Sequence, residues 1–142
     1  MSRINTGKVV AGGLLAGVVY NAIDFLINGM LMREEFAANA ARLGLDAASQ
    51  EAPAVIATWV AVDFIFGLVV VFLYAAMRPR FGPGPKTAIY AGLVIWVIGA
   101  CLLLGFTQSG IFTMSIFTKM LIPTLVNSLV GAVAGAAVYK EA

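Results

Sequence analysis

Histidine is absent from the 142 residues, and cysteine occurs once, as Cys101. The lack of histidine removes the commonest general base and haem ligation through imidazole. A single cysteine excludes an internal disulfide, and the usual zinc sites need more cysteine or histidine than this chain has. We therefore expect no cofactor, no metal site and no catalytic residue of these kinds.

Charge is also scarce. Asp, Glu, Lys and Arg make up 11% of the residues, and the net charge is +2. The basic residues are scattered over several segments, so the basic stripe typical of nucleic-acid binding is missing. Apolar residues are abundant, at 61% of the chain, and the mean hydropathy is +0.97. These values indicate a membrane protein that contacts lipids and has no nucleic-acid partner.

Long apolar runs predict helices over about residues 7–32, 53–77, 86–106 and 111–139. Each run supplies the roughly 20 residues that a helix needs to cross a hydrocarbon core about 30 Å thick. Barrel strands would be shorter and would alternate in polarity, whereas these runs are apolar on all sides. We predict an all-α, polytopic membrane protein in which residues 1–142 form one domain and four transmembrane helices form an up-down bundle.

The connections set the predicted orientation. Basic residues precede the first helix, lie between the second and third, and close the chain, so both termini should be cytoplasmic. In the middle loop, Pro79 is expected to stop the second helix and Pro85 to start the third. Arg78, Arg80 and Lys86 of this loop fix the topology or, alternatively, contact lipid headgroups or a partner protein.

The first outer connection has the pattern of a short helix. Phe36, Ala40 and Leu43 recur at helical spacing, and Gly44 is suited to end a helix. We expect an amphipathic helix over about residues 33–43 that lies at the outer membrane interface, as a stable connection or a lid.

Six polar residues fall within the predicted spans at a similar depth. An unpaired charge there would cost at least about 2.5 to 3.5 kcal/mol, so these groups should face each other or water. The predicted intramembrane polar cluster consists of Asn21, Asp24, Asn28, Asp63, Lys119 and Asn127.

Two interpretations of the cluster remain open. In the structural one, Lys119 bridges to Asp24 or Asp63, and the asparagines hydrogen-bond across helices. In the functional one, a carboxylate without a full partner exchanges protons or binds a cation from the outer side. Two acids and one lysine leave one charge over, which keeps the functional interpretation open.

The segment 63–74 can be aligned with 127–139, since each has a polar residue, a glycine four positions later and a tyrosine near the inner end. This match predicts two similar two-helix units, an arrangement that some transporters use.

The middle-loop segment RPRFGPGPKTA, at 78–88, and the segment DFLINGML, at 24–31, give the chain a resemblance to a known group of proteins. It resembles a family of small four-helix bacterial membrane proteins that are mostly uncharacterised. The resemblance covers nearly the whole chain and implies a location in the bacterial inner membrane. It implies no activity and no catalytic residue.

Our first functional expectation is a non-enzymatic bundle that acts as a homo-oligomer or as an accessory subunit of a larger membrane complex. The alternative is a small proton- or cation-coupled transporter or channel subunit that uses the intramembrane carboxylates. An intramembrane enzyme is less favoured, because no histidine is present to activate a serine.

Overall fold

A computed structural model describes residues 3–140, and within that range the chain is helical, without strands. The helices are α1 (Thr6–Leu26), a π-helical turn (Ile27–Leu31), α2 (Arg33–Arg42), α3 (Ala47–Gln50), α4 (Pro53–Phe81), α5 (Pro85–Gln108) and α6 (Met114–Val138). The spans Thr6–Leu31, Pro53–Phe81, Pro85–Gln108 and Met114–Val138 are long and apolar enough to cross a membrane. Large apolar side chains cover their outer surface, as lipid contact requires: Phe25, Trp59 and Ile122 are all about two-thirds exposed.

Helix α1 packs against both α4 and α6, and α5 packs against α6 and α4. Glycines make the α1–α4 contact close: Gly13 lies on the backbone of Leu68, and Gly17 lies on that of Phe64. Gly67 of α4 fits between the two glycines of α1 in return. Small residues allow helix backbones to approach closely, which is how transmembrane helices gain packing energy where no hydrophobic driving force exists.

The end of α1 widens into the π-helical turn, in which the Met32 N–H donates to the Ile27 carbonyl at 2.8 Å. This turn leads directly into α2, which is fastened to the α5–α6 connection. Arg42 donates to the carbonyls of Gly110 and Ile111 at 2.9 and 3.0 Å. The connection between α1 and α4 is therefore held against the turn between α5 and α6.

The predicted stop at Pro79 is wrong, because α4 continues through this proline to Phe81. A proline removes only one backbone hydrogen bond, and here it does so in the last turn, where little helix remains to be disrupted. The helix ends instead at Gly82, whose φ of 83° is a left-handed conformation suited to glycine. Pro85 does begin α5.

The last helix begins later than residue 111, the expected start. The Thr113 side chain accepts a hydrogen bond from the Ile116 N–H and caps α6, so the helix proper starts at Met114. Residues before it form a turn in which the Ile111 N–H donates to the Phe106 carbonyl at 3.0 Å. Gly110, with φ of 81°, provides the reversal.

Candidate functional site

Three polar side chains from three helices meet inside the bundle. This group consists of Asp24 of α1, Asp63 of α4 and Asn127 of α6. We call Asp24 and Asp63 together the carboxyl pair. The Asn127 Nδ2 donates to the Asp24 Oδ1 at 2.7 Å, and the two carboxyl groups lie within hydrogen-bonding reach of each other. Asp63 is 9% exposed and Asn127 is 7% exposed, whereas Asp24 is half-buried.

The close packing one turn away from the carboxyl pair fixes its geometry. Gly17 and Gly67 hold α1 against α4, and Gly131 of α6 leaves room for the ring of Tyr20. The Tyr20 hydroxyl donates to the Ser128 carbonyl at 3.4 Å and lies close enough to both carboxyls to interact electrostatically with them. Tyr20 was not among the predicted site residues, although its position four residues before Asp24 places both on one helix face.

The Asn127 amide is only half satisfied. Its nitrogen is hydrogen-bonded to Asp24, but its Oδ1 is buried and has no hydrogen-bond partner in the described part of the chain. Buried polar atoms are nearly always paired, so the open oxygen of an amide bonded to Asp24 is an acceptor with spare capacity.

Lys119 does not join this group, and the expected bridge from Lys119 to Asp24 or Asp63 is wrong. Lys119 forms an ion pair with Glu35 of α2, near the start of α6. The hydrogen bond from Lys119 holds the pKa of Glu35 below its ordinary value. The prediction fails for a physical reason. Lys119 lies two turns from Asn127 along α6, and the contacts that hold α2 against the α5–α6 turn place the Glu35 carboxylate closer to Lys119 than Asp24 or Asp63.

The remaining asparagines of the predicted cluster lie apart from the carboxyl pair. Asn21 donates to the carbonyls of Gly17 and Val60 at 2.9 and 3.3 Å, which ties α1 to α4. Asn28 is exposed in the π-helical turn. Asn21 therefore binds backbone carbonyls, and Asn28 lies on the surface.

At the opposite end of the bundle, two of the three predicted headgroup-contact residues lie near aromatic rings. The Arg78 guanidinium lies 6.0 and 5.4 Å from the ring centres of Tyr74 and Tyr139, which pack edge to face. The Lys86 ammonium lies 5.9 Å from the Tyr90 ring centre, and Arg80 is exposed. Contact of these three basic residues with lipid headgroups or a partner stays a prediction.

The arrangement of the carboxyl pair determines which ligands it can hold. An ionised carboxylate only accepts hydrogen bonds, so a direct hydrogen bond between two carboxyls requires a proton on one of them. Within residues 3–140, neither Asp24 nor Asp63 forms an ion pair with Lys or Arg. The pair is therefore a place where protons or other small cations can be held within the membrane span.

No protein-family model, curated protein or solved structure matches this chain. What the carboxyl pair does is therefore inferred from its chemistry.

Proposed function

We propose that this chain is a non-enzymatic, multi-pass protein of the bacterial inner membrane that takes up and releases protons at the Asp24–Asp63 pair, as a small proton-coupled transport component. The observation that carries the proposal is the direct apposition of two carboxyls from α1 and α4, which have no basic partner among residues 3–140. A purely structural cluster would be expected to neutralise its acids, as the predicted lysine bridge would have done.

The energetics favour proton binding by this pair. Each charge left unpaired within the hydrocarbon core costs at least about 2.5 to 3.5 kcal/mol, so two ionised carboxylates in contact are costly. Protonation removes that cost without a counter-ion. Asp24 is half-buried, and Asp63 and Asn127 are buried beside it between the helices.

We further propose that the helices alternate up and down, with both termini cytoplasmic and α2 at the outer interface. The positions of the basic residues support this orientation. An open depression of about 830 Å³, lined by residues that include Met30, Glu35 and Lys119, lies at the outer end of α1. Met30 is six residues beyond Asp24, or about 9 Å along a helix, so this depression is the proposed approach for protons.

Proton flux into liposomes tests the proposal. The purified protein is reconstituted with a pH-sensitive dye inside the vesicles, and a potassium diffusion potential drives protons inward. We expect flux that is lost in Asp24→Asn and in Asp63→Asn. Glu51→Gln, which removes an exposed acid, is the matched control and should leave the flux unchanged. Equal flux in all four proteins, or none above empty vesicles, would contradict the proposal.

A second candidate, assembly into a homo-oligomer or onto a larger membrane complex, is favoured by one face of α5. Cys101 and Gly105 lie one turn apart and are exposed, and nothing lies within 4 Å of a Cβ placed at Gly105. Small residues at this spacing suit close helix contacts between subunits. Oxidative cross-linking through Cys101 in native membranes should give a disulfide-linked dimer if α5 pairs with itself. A chain that stays monomeric there, and that copurifies with no other subunit, would argue against this candidate.

A further inference from the structure

The charge of the carboxyl pair changes by one unit when it releases a proton. With both carboxyls protonated the pair is neutral, and loss of one proton leaves a single negative charge. Within residues 3–140, no Lys or Arg side chain forms an ion pair with Asp24 or Asp63 to balance that charge. A small cation of one positive charge would restore neutrality at this depth.

The oxygen atoms needed to bind such a cation are already gathered. Asp24 and Asp63 supply carboxylate oxygens, and the Asn127 Oδ1 is a buried amide oxygen with no other partner. Because the Asn127 Nδ2 is held by Asp24 at 2.7 Å, the amide orientation keeps the Oδ1 free to bind another group. Carboxylate and amide oxygens are hard ligands, which favour hard cations.

We infer that Asp24, Asp63 and the Asn127 Oδ1 form a site for a monovalent hard cation of the Na⁺ class, which binds in exchange for one proton. This inference rests on the proposed proton exchange and names the ion that replaces the proton. The doubly protonated pair and Na⁺ give a singly protonated pair with bound Na⁺ and one free H⁺, so the site remains neutral before and after.

The charge of the site favours Na⁺ over the common divalent cations. Ca²⁺ takes six to eight oxygen ligands, and Mg²⁺ demands near-ideal octahedral geometry. In the described part of the chain, no three acidic, cysteine or histidine side chains gather where they could hold a metal ion. When one of the two acids is still protonated, the pair carries one negative charge, which balances a monovalent cation.

The test uses the full-length protein in nanodiscs and a hydrophobic carbodiimide, which reacts with protonated carboxyls in apolar surroundings. The rate of labelling is measured as the gain in intact mass with time, in choline chloride or in sodium chloride at the same pH and ionic strength. Peptide mapping then identifies the labelled residue. We expect an adduct on Asp24 or Asp63 in choline. At a Na⁺ concentration about ten times the Kd, mass action leaves about a tenth of the pairs doubly protonated. The Na⁺-bound pair keeps one protonated carboxyl instead of two, so labelling should slow about twofold.

Asn127→Leu tests the amide ligand, because leucine has a similar size and no oxygen. We expect this variant to be labelled at nearly equal rates in the two salts. A Na⁺ effect in Asn127→Leu as large as in the wild type would overturn the assignment of Asn127. The wild-type comparison between salts needs no variant, so the inference can be tested even if Asn127→Leu fails to fold.

Failure of the cation inference and failure of the proposed function give different results. If the wild-type pair is labelled at the same rate in both salts, the cation inference is overturned and the proposed proton exchange stands. If neither Asp24 nor Asp63 is labelled in choline, no protonated carboxyl is present, and the proposed function fails together with the inference. A direct measurement completes the test: addition of Na⁺, but not choline, to weakly buffered protein should release a proton, and no release would overturn the exchange.

Discussion

Gly67→Ala should weaken the bundle more than its single methyl group suggests. Gly67 lies where α4 meets α1, one turn from Asp63. A Cβ at this position would lie 2.6 Å from the Gly17 nitrogen and 3.0 Å from the Gly17 Cα. Ordinary contacts of a Cβ lie between 3.4 and 4 Å. Because the opposing atoms belong to the backbone, no rotamer change can relieve the overlap, and the helices have to separate.

The magnitude follows from this overlap. Overpacking of a filled interior typically costs about 1 to 3 kcal/mol, which is about a 5- to 150-fold change in an equilibrium constant. We expect a loss of unfolding free energy toward the upper part of that range, since a nitrogen contact of 2.6 Å falls about 0.8 Å short of ordinary packing. Separation of α1 from α4 should also draw Asp63 away from Asp24 and reduce proton flux.

Gly99→Ala is the matched control, because Gly99 lies within α5 and nothing lies within 4 Å of a Cβ placed there. It should leave stability unchanged or raise it by up to about 1 kcal/mol through helix propensity. Stability is measured as helical circular dichroism in mixed micelles while the fraction of denaturing detergent is raised. If Gly67→Ala unfolds at the same detergent fraction as Gly99→Ala, the α1–α4 contact is not as close as described, and the reasoning fails.

Three further predictions concern polar contacts outside the carboxyl pair. Trp96→Phe removes the indole N–H that donates to the Leu121 carbonyl at 3.0 Å, and should lower the unfolding free energy by about 0.6 to 1.7 kcal/mol in the same assay. The Lys119–Glu35 ion pair should contribute fully to stability above about pH 4.5, the ordinary pKa of Glu35, and lose its contribution as acid protonates Glu35 at its lowered pKa. A thermal-melting series against pH should show this step in the wild type and lack it in Glu35→Gln. Lys119→Leu should be tolerated about as well as Glu35→Gln, because the acid it leaves unpaired lies near the surface; a collapse of Lys119→Leu alone would mean that Lys119 also supports the buried acids.

The helical spans could be predicted because hydropathy is a local property. A run of some 20 apolar residues has few structures open to it in a membrane, since the backbone has to satisfy its own hydrogen bonds. Helix ends were harder to predict. Pro79 has the usual effect of a proline on its own hydrogen bond, yet the glycine at position 82 decides where α4 ends. A proline in a final turn interrupts too little helix to terminate it.

The pairing of charges could not be predicted, because it depends on how the connections fold. Glu35 and Lys119 are separated by 84 positions, and they meet only because the π-helical turn redirects the chain and Arg42 fastens α2 to the α5–α6 turn. The repeat predicted from 63–74 and 127–139 stays a prediction, but its matched residues lie near one another in the structure. Asp63 and Asn127 both lie beside Asp24, and Tyr74 packs against Tyr139.

The ion pair between Lys119 and Glu35 changes the interpretation of the polar residues inside the bundle. With a lysine among them, two carboxylates would leave one charge over, and packing alone could explain most of the cluster. With the lysine paired to Glu35, the same carboxyls have an amide and a tyrosine hydroxyl near them but no basic partner among residues 3–140, and the amide oxygen is open. The proposed function supplies neutrality at that depth with protons or small cations that can leave, a property that a carrier needs and a structural ion pair lacks.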